Sequence, residues 1–185
     1  MNDADAPLQA TVNGVRIEGR VGDIAKQDDA QAVVNAANAE LAPGGGVAGA
    51  LHRAAGPELH RLCRPLAPIK PGEAVITDAA DLPNAKVIHC LGPVYGHDEP
   101  ADELLARAYR RAVELAEEHG LESVALPALS TGAFGYPVDE SAPIAFKTVA
   151  EQLKNARSLK LARFVFFDAK ALEAHRPAFE NALGA

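Results

Sequence analysis

Only two cysteines, Cys63 and Cys90, occur in the 185 residues, and neither sits in a Cys-x-x-Cys pair or beside a histidine at zinc-ligand spacing. Both read as buried thiols, and neither a metal nor a cofactor is expected. No apolar run approaches the roughly 20 residues that a bilayer-spanning helix needs. The start, MNDADAPLQA, lacks a basic segment followed by an apolar core and cleavage site. The expectation is therefore a cytoplasmic chain without membrane association. A basic surplus is missing too: 18 lysines and arginines face 25 acids, a net charge of −7. That argues against nucleic acid as a partner, since neutralising many phosphates needs a basic surface, although a nucleotide can still be held by backbone amides. Aromatics are few, at 5%, and mark no partner groove, so a monomer is expected. Repeats, low-complexity tracts and linkers are absent. With 48% hydrophobic and 23% charged residues, ordinary globular usage, the chain reads as one domain over residues 1–185 with a flexible start at 1–8.

What is present alternates. QATV and VRIEGRV flank Asn13-Gly14, the dipeptide preferred in tight hairpins, predicting two antiparallel strands at a sheet edge. AVVNAAN reads as a strand, LAPGGG as a loop, VAGALHRAAG as a helix, and Pro57 as the first-turn proline of a second helix, PELHRLC. GEAVIT and KVIHCL read as two internal strands separated by a turn. From Ala101 to His119, Leu104, Leu105, Ala108, Ala112 and Leu115 share one helical face, and Gly120 is the stop. Strand SVALPAL, loop STGAFGYP, a helix from Val138, strand RFVFFD and a last helix near LEAHRPAFENAL complete the chain. Such alternation implies an α/β fold with a mostly parallel sheet and helices on both faces.

In open α/β sheets ligands bind beyond the carboxyl ends of the strands, where both glycine-rich loops fall. Gly44-Gly45-Gly46-Val47 precedes a helix, so its backbone can approach a phosphate while N–H groups and the helix dipole face the anion. Ser130-Thr131-Gly132-Ala133-Phe134-Gly135 offers a second such edge. Two anion-cradling loops suit a diphosphate; neither is a P-loop, because no Gly-Lys-Ser/Thr follows. A triple glycine alone is equally a tight turn.

Three stretches, VVNAANAELAPGGGVAGALHRAAG, VIHCLGPVYG and ALSTGAFGYP, together with Gly22-Asp23-Ile24 and Val165-Phe166-Phe167-Asp168, resemble the macrodomain family in order over nearly the whole chain. The resemblance implies a three-layer α/β/α fold with an ADP-ribose cleft, and partners that are ADP-ribose or ADP-ribosylated protein. It assigns Asp23, beside Ile24, to the adenine amino group, a role suited to a carboxylate acceptor; a helix cap is the alternative. Phe167 corresponds to the aromatic on the adenine face, with Asp168 near the proximal ribose and Phe166 alternating into the core. Asn38 corresponds to the asparagine at the distal ribose, and Asn35 to one that braces the neighbouring loop, or simply forms a turn. Gly44, Gly45, Gly46 and Val47 would line one side of the diphosphate, and Ser130, Thr131, Gly132 and Ala133 the other. Phe134 would pack on the distal ribose, or close its loop as a core aromatic.

The chain departs from the hydrolase pattern at one position. Where that pattern carries a catalytic aspartate after Gly-Gly-Val, Ala48 stands here. Some family members with Gly-Gly-Gly-Val-Ala nonetheless hydrolyse ADP-ribosyl esters. The expected activity is therefore hydrolysis of ester-linked ADP-ribose, from Asp or Glu side chains or as O-acetyl-ADP-ribose, with Asn38 and, one turn after Ala48, His52 as catalytic candidates. His52 is otherwise a structural histidine, as is His89. A reader without turnover is the alternative, and an ADP-ribose-1″-phosphate phosphatase ranks last.

Overall fold

At the Asn13-Gly14 turn both residues take positive φ, +52° and +75°, as the favoured two-residue hairpin demands. The turn joins β1 (Leu8–Val12) to β2 (Val15–Val21) with Val12 opposite Val15. The computed structural model describes residues 6–184. The flexible start expected at 1–8 falls largely on residues 1–5, outside that range, while Leu8 is already buried in β1. Five more strands follow: β3 (Ala32–Ala36), β4 (Ala74–Asp78), β5 (Lys86–Cys90), β6 (Ser123–Leu126) and β7 (Leu161–Phe166). The helices are α1 (Gly46–Ala55), α2 (Pro57–Cys63), α3 (Ala101–Glu118), α4 (Val138–Leu153) and α5 (Ala169–Leu183), with short 3₁₀ turns at Ile24–Lys26 and Arg64–Leu66.

The sheet order is β1-β2-β7-β6-β3-β5-β4. Strands β2, β7, β6, β3 and β5 run parallel, and the outer strands β1 and β4 are antiparallel to their neighbours. One sequence expectation fails here: GEAVIT was read as internal, but β4 is the edge strand. Its apolar character has a local cause, because α2 and α3 both pack against it, so Val75 joins one core cluster and Ile76 the other.

Alternation along each buried strand builds the three layers. Val34, Ile88, Val124, Phe164 and Phe166 face the larger cluster under α3, α4 and α5, whereas Val33, Val87, Ala125 and Val165 face the smaller one under α1 and α2. Phe146 of α4 anchors the larger side, edge-to-face with Phe164 at 4.9 Å and Phe179 at 5.2 Å. Cys90 belongs to the larger cluster and Cys63 to the smaller, so the sheet separates the two thiols. Burial raises them to about 12 and about 11 respectively, and both stay protonated at neutral pH.

Candidate functional site

Because five adjacent strands are parallel, their carboxyl ends lie along one edge of the sheet. Read across that edge from β2 through β7 and β6 to β3, the following segments are Gly22–Ile24, Phe167–Asp168, the loop 127–137 and the loop 37–45. The candidate residues, scattered from 23 to 168, thus fall into a spatial row. Four strands at about 4.8 Å spacing give a row about 14 Å long, matched to an elongated ligand rather than a single phosphate.

At one end, Asp23 is exposed and caps the first 3₁₀ turn, its Oδ1 accepting from the Ala25 backbone N–H at 2.9 Å. Capping and exposure coexist, since a carboxylate has acceptor capacity to spare. Ile24 is buried in the smaller core and fixes this segment from beneath. The support runs deeper: Gln27 donates to the Asp23 carbonyl at 2.9 Å and accepts from Arg163 at 3.1 Å. Arg163, 3% exposed, also bonds buried Glu18 at 3.0 Å and forks onto both Asp29 oxygens at 2.7 and 2.8 Å. Burial alone would raise the Glu18 carboxyl, but hydrogen bonds from Arg163 and Arg16, with the charge of Arg20 nearby, outweigh it and hold it below the usual range. Asp29 is lowered chiefly by Arg163. Sequence reading missed this cluster because charged residues in strands read as solvated.

Next in the row, Phe167 is 92% exposed while Phe166 is 2% exposed, the alternation expected at the end of β7. A fully solvated phenylalanine beside a glycine-rich edge is a ready stacking surface. Asp168 caps α5, accepting from Ala171 N–H at 2.8 Å.

In the loop after β6, Ser130 adopts φ +66° and is buried with no partner for its hydroxyl. Backbone bonds from Gly135 to Gly132 and from Tyr136 to Ser130 close the loop, and Thr131 donates to the Ala128 carbonyl at 2.8 Å. Gly132 and Ala133 are left exposed at its tip. Phe134 is half-buried and packs against the smaller core. A constraint invisible in sequence is Gly92, after β5, where a Cβ would collide with the Ser130 hydroxyl.

At the β3 end, Gly44 and Gly45 lead into α1, Gly46 takes φ +55°, and all three are exposed. Gly49 lies so close to the Gly44 carbonyl that a Cβ would clash with it, which draws the loop down onto the helix. Val47 is partly buried against the smaller core.

The two asparagines differ from expectation. The loop is braced by Asn38, not Asn35: Asn38 Nδ2 donates to the Ala42 carbonyl at 2.9 Å and its Oδ1 accepts from Ala42 N–H at 3.0 Å. One N–H and one lone pair of its amide remain for a ligand. Asn35 is 1% exposed and its Nδ2 donates to His89 Nδ1 at 3.1 Å. It faces inward because residues 33 and 35 share the face toward α1 and α2. Buried His89 then carries its proton on Nε2, 3.0 Å from the Thr77 hydroxyl, and burial lowers it to about 3, so it is neutral, in keeping with a structural role.

Ala48 is buried at the start of α1 and brings no acid to the row. His52, 6% exposed, lines a cavity with Pro43, Gly44, Arg53, His60 and Arg64. Of the row, only Pro43 and Gly44 of the loop after β3 border it. Burial first, then the His60 charge, lowers His52.

Fold and site together define an α/β/α sandwich whose carboxyl edge carries two exposed glycine-rich loops and a solvated aromatic. The macro domain model matches residues 34–145, and the chain belongs to that family. An O-acetyl-ADP-ribose deacetylase of Cronobacter turicensis is 48% identical over 160 residues, 83% of this chain and 89% of that protein. The Oceanobacillus iheyensis macrodomain solved with ADP superposes with a TM-score of 0.91 at 35% identity, covering 95% of this chain and 96% of that one. The Trypanosoma brucei macrodomain in complex with ADP-ribose gives 0.79 at 32% identity, over 87% and 68%.

Proposed function

We propose that the chain binds ADP-ribose along this row and hydrolyses esters of its distal ribose, releasing ADP-ribose from modified Asp or Glu side chains and acetate from O-acetyl-ADP-ribose. The observation that carries the reading is the spatial order of the row. Asp23 and Phe167 stand at one end for adenine, with Asp168 beside the proximal ribose. The two glycine-rich loops follow the neighbouring strands β6 and β3 and would hold the diphosphate between them, with Phe134 of one loop and Asn38 of the other taking the distal ribose. The named activity of the 48% identical relative and the nucleotides in the similar solved structures support the same ligand.

With Ala48 in place of an acid, the chemistry rests on positioning. The loops hold the diphosphate so that one of its oxygens orients a water toward the ester, and the spare Asn38 N–H fixes the sugar. For a modified carboxylate, the water oxygen bonds to the distal anomeric carbon. The C–O bond to the side chain breaks, the carboxylate leaves, and the water proton passes through the diphosphate oxygen to solvent. A carboxylate is a stable leaving group, so esters are cleaved in preference to amide linkages. His52, which lines the neighbouring cavity, is given no role in this step. Ala48 equally favours a second reading, a binding module without turnover.

The deciding experiment incubates the protein with an ester-linked mono-ADP-ribosylated partner, follows release of ADP-ribose, and measures ADP-ribose affinity by calorimetry. Wild type is expected to release it, and Asn38→Ala to be slower by about 100-fold, the scale of a misplaced substrate. Binding without release assigns the reader function; neither binding nor release overturns the ligand assignment.

A further inference from the structure

The cavity on the flank of α1 and α2 adjoins the row at Pro43 and Gly44 and has its own chemistry. It has a volume of about 440 Å³ and is lined by His52, Arg53, His60 and Arg64, with Pro43 and Gly44 closing one wall. In a chain of net charge −7 this gathers two guanidinium groups and two imidazoles around one space. Neither Arg53 of α1 nor Arg64 of the following 3₁₀ turn has an ion-pair partner among the described residues, whereas Arg61 of α2 is bonded to Glu58. Carboxylates are not far off: Asp81 lies against Gly56 at the rim. The decisive group is His52. It is 6% exposed, and both its ring nitrogens lack a hydrogen-bond partner, a costly arrangement for a buried polar ring. Its ring meets His60 edge-on at 6.2 Å, so the two imidazoles stand side by side without satisfying each other.

The geometry points to a second oxyanion site here, next to the diphosphate cradle and sharing only Gly44 with it, that takes a phosphate group between Arg53, Arg64 and the imidazoles of His52 and His60. Guanidinium forks match tetrahedral oxyanions, and a ring N–H of His52 would gain the acceptor it lacks. A phosphate is favoured over a carboxylate because four donor side chains line the one space, His52 and Arg53 from α1, His60 from α2 and Arg64 from the 3₁₀ turn after it, more than two carboxylate oxygens use. The phosphate is either free in solution or carried by a side chain of a partner. Pro43 and Gly44 belong to the loop that leads into α1, so a partner's phosphate would lie beside the proposed substrate cleft. The site itself does not depend on the proposed hydrolysis.

The test is a titration of the full-length protein with inorganic phosphate at constant ionic strength, following the His52 and His60 ring resonances by NMR. Saturable shifts of both rings are expected. Arg53→Gln with Arg64→Gln, both exposed positions, should weaken the midpoint at least tenfold, and Gly46→Glu, which blocks the cleft, should leave it unchanged. Shifts reproduced by chloride, indifferent to the arginine substitutions, or abolished by Gly46→Glu overturn the site. A second arm repeats the titration with a phosphoserine peptide: tighter binding than orthophosphate assigns the anion to a partner chain, and equal or weaker binding assigns it to free phosphate.

Discussion

Single atoms set the limits of the cleft. Gly92 shows this most directly, because an added Cβ has nowhere to go but into the Ser130 hydroxyl, and Ser130 is already held at φ +66°. Gly92→Ala should therefore cost about 1–3 kcal/mol, as small overpacking substitutions do. It should also push the 130–136 loop out of register and weaken ADP-ribose binding. Urea unfolding and calorimetry on the same variant check both; intact affinity in a destabilised variant would uncouple the loop from the ligand. Gly92 lay within the stretch VIHCLGPVYG, yet nothing in the sequence distinguished it from a turn glycine, since its constraint comes from a residue 38 positions away. Phe167 was legible for the opposite reason: strand alternation settles which of two neighbouring phenylalanines points outward. Which asparagine braces the loop is not legible in the sequence, because Asn35 and Asn38 are chemically identical. Their roles follow only from where the strand ends, at Ala36.

Among the elements, helices and parallel strands were legible because each carries its own periodicity, and the glycines punctuate them. Edge position carries no such signal. Covered on both faces by α2 and α3, β4 reads as apolar as an internal strand. The same logic makes α4 a good place to separate stability from binding. Phe146 is fully buried against Phe164 and Phe179 in the cluster on the opposite face of the sheet from α1. Phe146→Ala should cost about 3–5 kcal/mol, measurable as a lower urea midpoint. Where the variant is still folded, its ADP-ribose affinity should stay within about twofold, since distant sites without shared partners act nearly independently. A large loss of affinity would mean the two layers are coupled through the sheet.

For the molecule as a whole, the buried ionisable groups make folding sensitive to acid in one direction. His89 is neutral when folded, with a value near 3, against about 6.5 unfolded. Burial likewise lowers His175 and His52, and Glu18 and Asp29 lie below their ordinary values. In every case the unfolded chain binds more protons than the folded one, so stability falls as pH falls. The histidine contribution begins to fade below about pH 6.5, and that of the carboxylates below about pH 5. His89 alone should remove about 2 kcal/mol between pH 7 and pH 5. His89→Gln, which cannot be protonated there, should flatten the urea midpoint across that interval; an unchanged slope would place the sensitivity elsewhere. At this scale too the topology has a consequence. The strand β7 is made last yet lies between β2 and β6, so the adenine end of the proposed cleft joins the first quarter of the chain to the final one. A chain still emerging from the ribosome holds both glycine loops before it has the aromatic that completes the row. A nucleotide bound along the proposed row would act as a clasp between segments far apart in the chain.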